Sequence, residues 1–506
     1  MDYIQGTCRE QTRLFPATLD EYIRDENPVR FIDAFVDNLD LKALGFQHSV
    51  LNQTGRPPFH PSVLIKLYIY GTLHHIRSSR RLESECYRNV EVMWLLHKLA
   101  PDFKTISDFR KDNLKALKGT CREFVLLCKK LELFGKELIA IDGSKFEAVN
   151  SNSRNYTRKK LRKLIQEIEV YIDEYFQVLE KGDEAEKCDR PLSVGELKEQ
   201  IEALKQNRAH YKELLAGLEE SGESQISLTD PESRLMRDGH QGHDVCYNAQ
   251  IAVDEKHHLI VADDVTNACN DEKQLASIAK KAKELLEADQ LDVTADVGYH
   301  DSGNIKDCAD EAITPYVPRP KKSHNYKKGL FTKDDFKYDR DKDCYYCPAN
   351  ECLSFRFAYL KDGRMMSAYE TSACSDCSLR SKCMDKEKGN RRISRWEYEH
   401  LLEQMQERLE QQPDMMNKRR CLTEHPFGSL KRWMGCQYFL LRGLEKVKVE
   451  FSLMVLGYNL RRVINIIGIK NLIEAMTSRQ LRLFSLKLKH ENPKHIVTYW
   501  RFLVWM

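Results

Sequence analysis

Three carboxylates stand where patterned segments end. Asp142 closes the apolar run Leu138-Ile139-Ala140-Ile141, Asp296 closes Leu291 to Ala295, and Glu424 follows the basic stretch Lys418-Arg419-Arg420. Carboxylates brought together repel one another and hold protons more tightly, and divalent cations relieve that repulsion. Hard ions such as Mg²⁺ or Mn²⁺ prefer oxygen ligands and keep several waters. Two such ions roughly 3.5–4 Å apart can activate a water or 3′-hydroxyl and stabilise the leaving oxygen of a phosphodiester. The chemistry suggested is metal-dependent cutting and joining of DNA, with Asp142, Asp296 and Glu424 as both catalytic residues and metal ligands. A lone Asp after a strand is ordinarily a turn or cap residue, and Asp230, Asp254, Asp264 and Asp271 are read mainly so, with Asp271 held as the reserve candidate. Glu445 and Glu450 rival Glu424 for the third place, although charges on a helix surface explain them equally.

The elements that must position these acids follow from periodicity. Residues 138–149 alternate as a strand, 245–253 and 258–265 read as a β-hairpin, and 271–288 carries a helical apolar face. The Asp296 strand, a helix near 304–311 and a strand over 313–318 come next. Strand, hairpin, helix, strand, helix, strand is the ribonuclease-H-like order, and it sets Asp142 and Asp296 at neighbouring strand ends. Arg420, Glu424 and Lys431 stand at i, i+4 and i+11, one face of an uninterrupted helix, so the carboxylate would be flanked by two cations for DNA phosphates. Pro426 is expected to start or kink that helix and to push His425 from helical angles.

Outside this core, residues 15–130 read as helical. Pro61 and Ser62 suit a helix start, and Thr105 or Ser107 a cap before a basic helix. Apolar residues at helical spacing over 161–179 and 197–218, broken over 181–193, describe a helical hairpin inserted after the first strand. The expected division is an N-terminal helical, DNA-end-binding domain (1–130), a first core strand (131–150), the hairpin insertion (151–224), the continued core (225–324), a Cys-rich zinc-binding insertion (325–395), the last core helices (396–470) and a C-terminal tail (471–506).

At 506 residues the chain exceeds one ordinary hydrophobic core. With 42% hydrophobic and 31% charged residues it reads as a globular protein, without an apolar run long enough for a membrane span or a signal peptide, and is expected in the cytoplasm. A net charge of only +3 means that a nucleic-acid surface must come from local clusters. These are Arg154 with Arg158, Lys159 and Lys160, then 319–328, then Lys418-Arg419-Arg420, each of which is as readily a solvated helix face. Six of the sixteen cysteines fall between Cys344 and Cys383, a pattern suited to a metal site rather than to disulfides. Cys344-x2-Cys347 and Cys374-x2-Cys377, with Cys383 beyond, have thiolate-zinc spacing, and spacing alone prefers Cys344 to Cys383. Four thiolates make a closed, structural site, stapling a segment otherwise too polar to form a core.

These motifs resemble bacterial insertion-sequence transposases of the DDE type, in the branch whose third block runs Tyr-x2-Arg-x3-Glu-x6-Lys. Arg420, Glu424 and Lys431 match, whereas Asn417 stands where the branch has Tyr. Also similar are Ile141-Asp142-Gly143-Ser144, Asp230 to Arg234, Tyr247-Asn248-Ala249-Gln250, Ala295 to Tyr299, Glu424 to Gly428 and Arg442 to Val447, so that the likeness runs from about residue 15 to 465. The resemblance implies an α/β, ribonuclease-H-like mixed-sheet core, two catalytic Mg²⁺ or Mn²⁺ ions on Asp142, Asp296 and Glu424, and DNA contacts from Arg420 and Lys431. It implies zinc on Cys347, Cys374, Cys377 and Cys383, and a helical region around 50–125 that helps bind terminal inverted repeats. The function it implies is cleavage and strand transfer of double-stranded DNA, both the element's ends and its target, in a nucleoid-associated protein. Because two ends must be cut together, a homodimer on DNA is expected. The alternatives are a ribonuclease-H-like nuclease without strand transfer and a non-catalytic DNA-binding protein on the same scaffold.

Overall fold

The computed structural model describes residues 18–50, 57–150, 154–184, 194–237, 242–320, 324–385 and 389–477. The N-terminal 1–17, part of the hairpin break (185–193), part of the basic run 319–328 and the tail from 478 lie outside the described residues. The chain divides into two units, one formed by the residues up to Leu131 together with those from Gly428, the other by Glu132–Phe427.

The first unit opens with α1 (Pro28–Asp37), α2 (Pro61–Leu73), α3 (Ser79–Arg88), α4 (Val90–Leu95), α5 (Phe103–Asp112) and α6 (Leu114–Lys130). Pro61 takes the first helical position of α2, where its missing N–H costs nothing. The cap of α5 is Asp102, whose carboxylate accepts from the Lys104 and Thr105 amides, so this helix starts before the expected Ser/Thr cap.

The second unit is built on a six-stranded sheet. Its strands are β1 (Leu138–Glu147), β4 (Arg234–Arg237), β5 (His243–Asp254), β6 (Ile260–Thr266), β7 (Leu291–Thr294) and β8 (Ile313–Tyr316). β5 runs antiparallel to β1 and is flanked on its other edge by β4 and β6; β7 runs parallel to β1, and β8 parallel to β7. Helices α9 (Leu275–Leu286) and α10 (Ser302–Asp310) make the crossovers. Between β1 and β4 the chain departs through β2 (Asn155–Thr157) into α7 (Arg158–Glu184) and α8 (Val194–Glu220), which pack on each other, and returns through β3 (Gln225–Ser227). β2 and β3 pair at the root, where the Arg158 guanidinium also donates to the Leu218 and Glu223 carbonyls at 3.0 and 2.8 Å.

After β8 and the short α11 (His324–Lys327), β9 (Lys337–Asp339), β10 (Cys344–Tyr346), β11 (Cys352–Lys361), β12 (Arg364–Glu370) and β13 (Ile393–Trp396) form an antiparallel sheet, with α12 (Arg380–Cys383) between the last two strands. Phe336, Tyr345, Leu353, Tyr369 and Ile393 give it an apolar core, so the segment is not too polar to form one, as its charge content had suggested. α13 (Glu399–Gln411) and α14 (Met415–Gly428) then return to the first sheet, where Leu409, Met415 and Met416 pack on Leu138 and Tyr316. That contact lays the start of α14 against β1 and β8.

Pro426 lies buried inside α14 and neither starts nor ends it. A proline removes the N–H that would bond the carbonyl four residues back, and a π-helical turn, Ser429–Trp433, follows at once. The α-helical register assumed for Lys431 therefore stops at Gly428.

The first unit is completed by α15 (Leu444–Ile467) and α16 (Ile469–Thr477). Both α2 and α15 are buried nearly all round, the mark of central helices. They approach so closely that a Cβ on Gly457 would meet the Thr72 methyl at 2.6 Å. The expected division grouped 396–470 with the catalytic core; α15 instead packs on α2 and α6.

Candidate active site

The register of β1 and β7 places the first two acids. Ala140 lies beside Thr294 in the last pair of this parallel ladder, and Asp142 and Asp296 each stand two residues further on. Parallel strands are roughly 4.8 Å apart, so both acids follow closely on one paired rung, although Asp142 continues within β1, opposite Ile251, instead of ending a strand. They sense one another. Burial holds the Asp142 carboxyl above its usual range, the Arg419 charge and hydrogen bonds from Thr423 and the Gly143 amide oppose that shift, and the Asp296 charge adds to it. Asp296 is not in the strand proper. It caps the short 3-10 turn Val297–Tyr299 and accepts from the Gly298 amide at 2.7 Å.

α14 meets Asp142 through Arg419, whose guanidinium lies 3.3 Å from the carboxylate, and through Thr423. Glu424 is next along the helix. Its side chain is 70% exposed and lies 3.9 Å from that of Arg420, which is 66% exposed. Among the described residues no group of three His, Cys, Asp or Glu is gathered closely enough to hold a metal ion. The three acids of the sequence analysis are thus not assembled, although a residue adjoining the third is in contact with the first. Lys431 falls in the π turn, within the first unit.

The rivals are placed differently. Glu445 is exposed and pairs with Lys448, whereas Glu450 is buried in the first unit and accepts from the Leu440 and Leu441 amides. Asp254 caps a turn as expected, accepting from the Gly135, Lys136 and Lys256 amides. Asp264 pairs with Lys281 on α9. Asp230 is more than a turn residue: fully buried, it accepts from the Tyr247 hydroxyl at 2.9 Å.

Asp271 also departs from a capping role. Its Oδ1 accepts from Asn248 Nδ2 at 2.6 Å and from Gln250 Nε2 at 2.7 Å, and Lys145 Nζ lies 3.7 Å away. Burial pulls the Lys145 ammonium below its usual value, and Asp271 opposes this. The Tyr299 hydroxyl donates to Gln250 Oε1. Burial drives the Tyr299 hydroxyl well above its usual pKa, and the charges of Asp271, Asp142 and Asp296 push the same way. Sequence reasoning missed this network. Its signal was available in Asn248 and Gln250, polar residues on alternate positions of a strand whose every residue from Val245 to Asp254 is buried.

Of the basic cluster, Arg158 and Lys160 are engaged at the root of the hairpin insertion. Lys160 donates to the Asn155 carbonyl and lies over the Tyr156 ring. Arg154 and Lys159 are exposed. Among the cysteines, Cys347, Cys374, Cys377 and Cys383 line one small cavity beside the second sheet. Burial raises the Cys383 thiol, Arg391 lowers it, and each of the other three thiols raises it. Cys344, a free thiol buried on β10, hydrogen-bonds to the free thiol of Cys352 instead.

Two family models match parts of the chain. One, described as a transposase domain (DUF772), covers residues 17–112; the other, described as a transposase DDE domain, covers residues 346–464. Two segments of the chain thus resemble transposase domains, the later one of the DDE type. The second match takes in Glu424 and the four cysteines, whereas Asp142 and Asp296 lie in the stretch between the two matches. No curated protein matches the chain. A solved structure, a piggyBac transposase synaptic complex with hairpin DNA, aligns with 93% of this chain and 83% of that chain at 8% identity and a TM-score of 0.30. Among the described residues no helix is long and apolar enough to cross a membrane.

Proposed function

We propose that this chain is a DNA transposase that binds the inverted repeats at the ends of an insertion sequence, cuts them in a divalent-metal-dependent step and joins them to target DNA. The observation that carries the reading is the β1–β7 register, whose last pair, Ala140 and Thr294, stands two residues before both Asp142 and Asp296, in a chain with a segment similar to a transposase DDE domain. The mixed sheet, with one antiparallel hairpin and two parallel crossover strands, supports a ribonuclease-H-like core.

The donor chemistry fits Mg²⁺ or Mn²⁺: two adjacent carboxylates offer hard oxygens, and a buried cation, Arg419, already balances one of them. Such ions supply an activated nucleophile and a stabilised leaving oxygen. Asp142 and Asp296 are the proposed inner ligands, and Glu424, one residue from Thr423, is the third. Arg420, Lys431, Arg154 and Lys159 offer cations to phosphates, and Arg158 and Lys160 hold the hairpin root that presents them; a dimer on DNA would cut both ends together. A structural zinc on Cys347, Cys374, Cys377 and Cys383 is proposed from their shared cavity; the four thiols are not gathered to metal-holding distances in this structure, so the ion would have to draw them together. The exposure of Glu424 favours a second reading, a DNA-binding protein that keeps the scaffold without the chemistry.

Duplex DNA bearing the repeats that flank the coding region decides between them. The wild-type chain with Mg²⁺ is expected to cut and join it. Asp142→Asn is expected to bind with unchanged affinity but to cut about a thousandfold more slowly, since metal-assisted charge stabilisation contributes several kcal/mol. Binding without cutting by the wild type would establish the second reading, and cut ends that are never joined would leave a nuclease.

A further inference from the structure

We propose that Tyr299, Gln250 and Asp271 form a positioning relay that fixes Asp296 relative to Asp142, and that Gly143 is the gap through which the relay passes; this rests on the reading of Asp142 and Asp296 as the metal-binding pair. The ladder between β1 and β7 ends at Thr294, so no sheet hydrogen bond between these strands holds Asp296. Its position is set by the turn Val297–Tyr299, whose last residue returns its backbone amide to the Asp296 carbonyl at 3.1 Å. What ties the far end of that turn to the rest of the sheet is the Tyr299 hydroxyl, which donates to Gln250 on β5.

β1 lies between β5 and β7, so this bond crosses β1, and it does so at Gly143, the register partner of Gln250 and the neighbour of Asp142. A Cβ at Gly143 would stand 2.3 Å from Gln250 Nε2, 2.8 Å from Asp271 Oδ1 and 3.0 Å from the Tyr299 hydroxyl. Even alanine would therefore collide with all three members. Gln250 is oriented in turn, because its amide donates to Asp271 Oδ1 at 2.7 Å and to Asn248 Oδ1 at 3.1 Å, leaving its carbonyl for Tyr299.

Tyr299 and Asn248 are 0% exposed and Gln250 is 1% exposed. Burying polar side chains is unfavourable unless each is bonded, and a plain core would be served by Phe and Leu at these places. A bonded polar relay instead supplies direction, as hydrogen-bonded groups behind metal ligands do when they fix ligand geometry.

The test is Mn²⁺ binding by the full-length chain, followed by electron paramagnetic resonance, alongside thermal unfolding and Mg²⁺-dependent cleavage. Tyr299→Phe, which keeps the ring, and Gly143→Ala are each expected to weaken Mn²⁺ binding about tenfold and to slow cleavage by a similar factor. Asp271→Ala is expected to do the same, and Asp271→Asn, which keeps the acceptor oxygen but not the charge facing Lys145, to lose less. Wild-type Mn²⁺ binding in Tyr299→Phe and Asp271→Ala would overturn the relay, and so would a loss of thermal stability with Mn²⁺ binding unchanged. If the wild type binds Mn²⁺ and Asp142→Asn does not, such results would sink the relay alone; a wild type that binds no Mn²⁺ and cuts no DNA would overturn the metal-pair reading and the relay together.

Discussion

Burial raises the Asp142 carboxyl while Arg419 pulls it down, and the net direction is upward. An acid whose folded-state pKa exceeds its unfolded value is bound by protons more readily in the folded chain. Without metal, Asp142 therefore weighs against folding at neutral pH, and that cost is relieved as the pH falls through the raised value toward the unfolded value of about 3.9. Cleavage must show the opposite dependence, since a metal ligand must be ionised. Metal-free wild type is expected to gain stability relative to Asp142→Asn on acidification from pH 7, as read by paired thermal melts. Over the same interval Mg²⁺-dependent cleavage should decline; a difference in melting that is flat with pH would contradict the assignment of the shift. At this scale the sequence disclosed which side chains could ligate but not which way they point. Arg420 and Glu424 read as one face of a helix, and they do pair, yet the face that meets Asp142 belongs to Arg419 and Thr423. One residue is about 100° of helix rotation, finer than a spacing rule resolves without knowing how the helix is docked. Glu450 was unreadable for a related reason. A glutamate in a charged-looking segment is buried because the Leu440 and Leu441 amides need an acceptor, a demand visible only once the chain has folded.

Elements were legible where periodicity was strong. The strand, hairpin and crossover order around the two aspartates emerges from alternation and apolar runs, and the sheet adopts it. Pro426 was expected to start or kink its helix; it starts nothing, lying buried inside α14, with a π turn following three residues on. The Cys-rich segment misled in the other direction: its charges hid three aromatic residues, Tyr338, Tyr345 and Tyr369, which pack tilted and edge to face across strands β9, β10 and β12. With an apolar core in place, the proposed zinc would be an addition to this sheet and not its sole support. Elemental analysis of purified protein is expected to read one zinc per chain, lost in Cys377→Ser and retained in Cys344→Ser, with a lower unfolding midpoint for the former. Zinc at trace levels, or loss on changing Cys344 alone, would refute the proposed ligand set.

On the scale of the whole chain, composition bounded the answer without locating it. A net charge of +3 leaves DNA contacts to local groups, and two of the cations in the richest cluster, Arg158 and Lys160, are occupied with closing the hairpin insertion. The unit that joins α1–α6 with α15 and α16 was not foreseen, because helices apolar on all sides announce burial but not their partners. The proposed site is spatial: it requires Asp142, Asp296 and the Glu424 segment to meet around one divalent cation. Replacing Mg²⁺ by Fe²⁺ and generating hydroxyl radicals with ascorbate and peroxide cuts the backbone close to the bound ion. In the full-length chain on end-bearing DNA, the account predicts three clusters of cuts, near 142, near 296 and within 419–424, all suppressed by excess Mg²⁺ and by Asp142→Asn. Cuts at the two aspartates with none in α14, or a pattern indifferent to Mg²⁺, would contradict it.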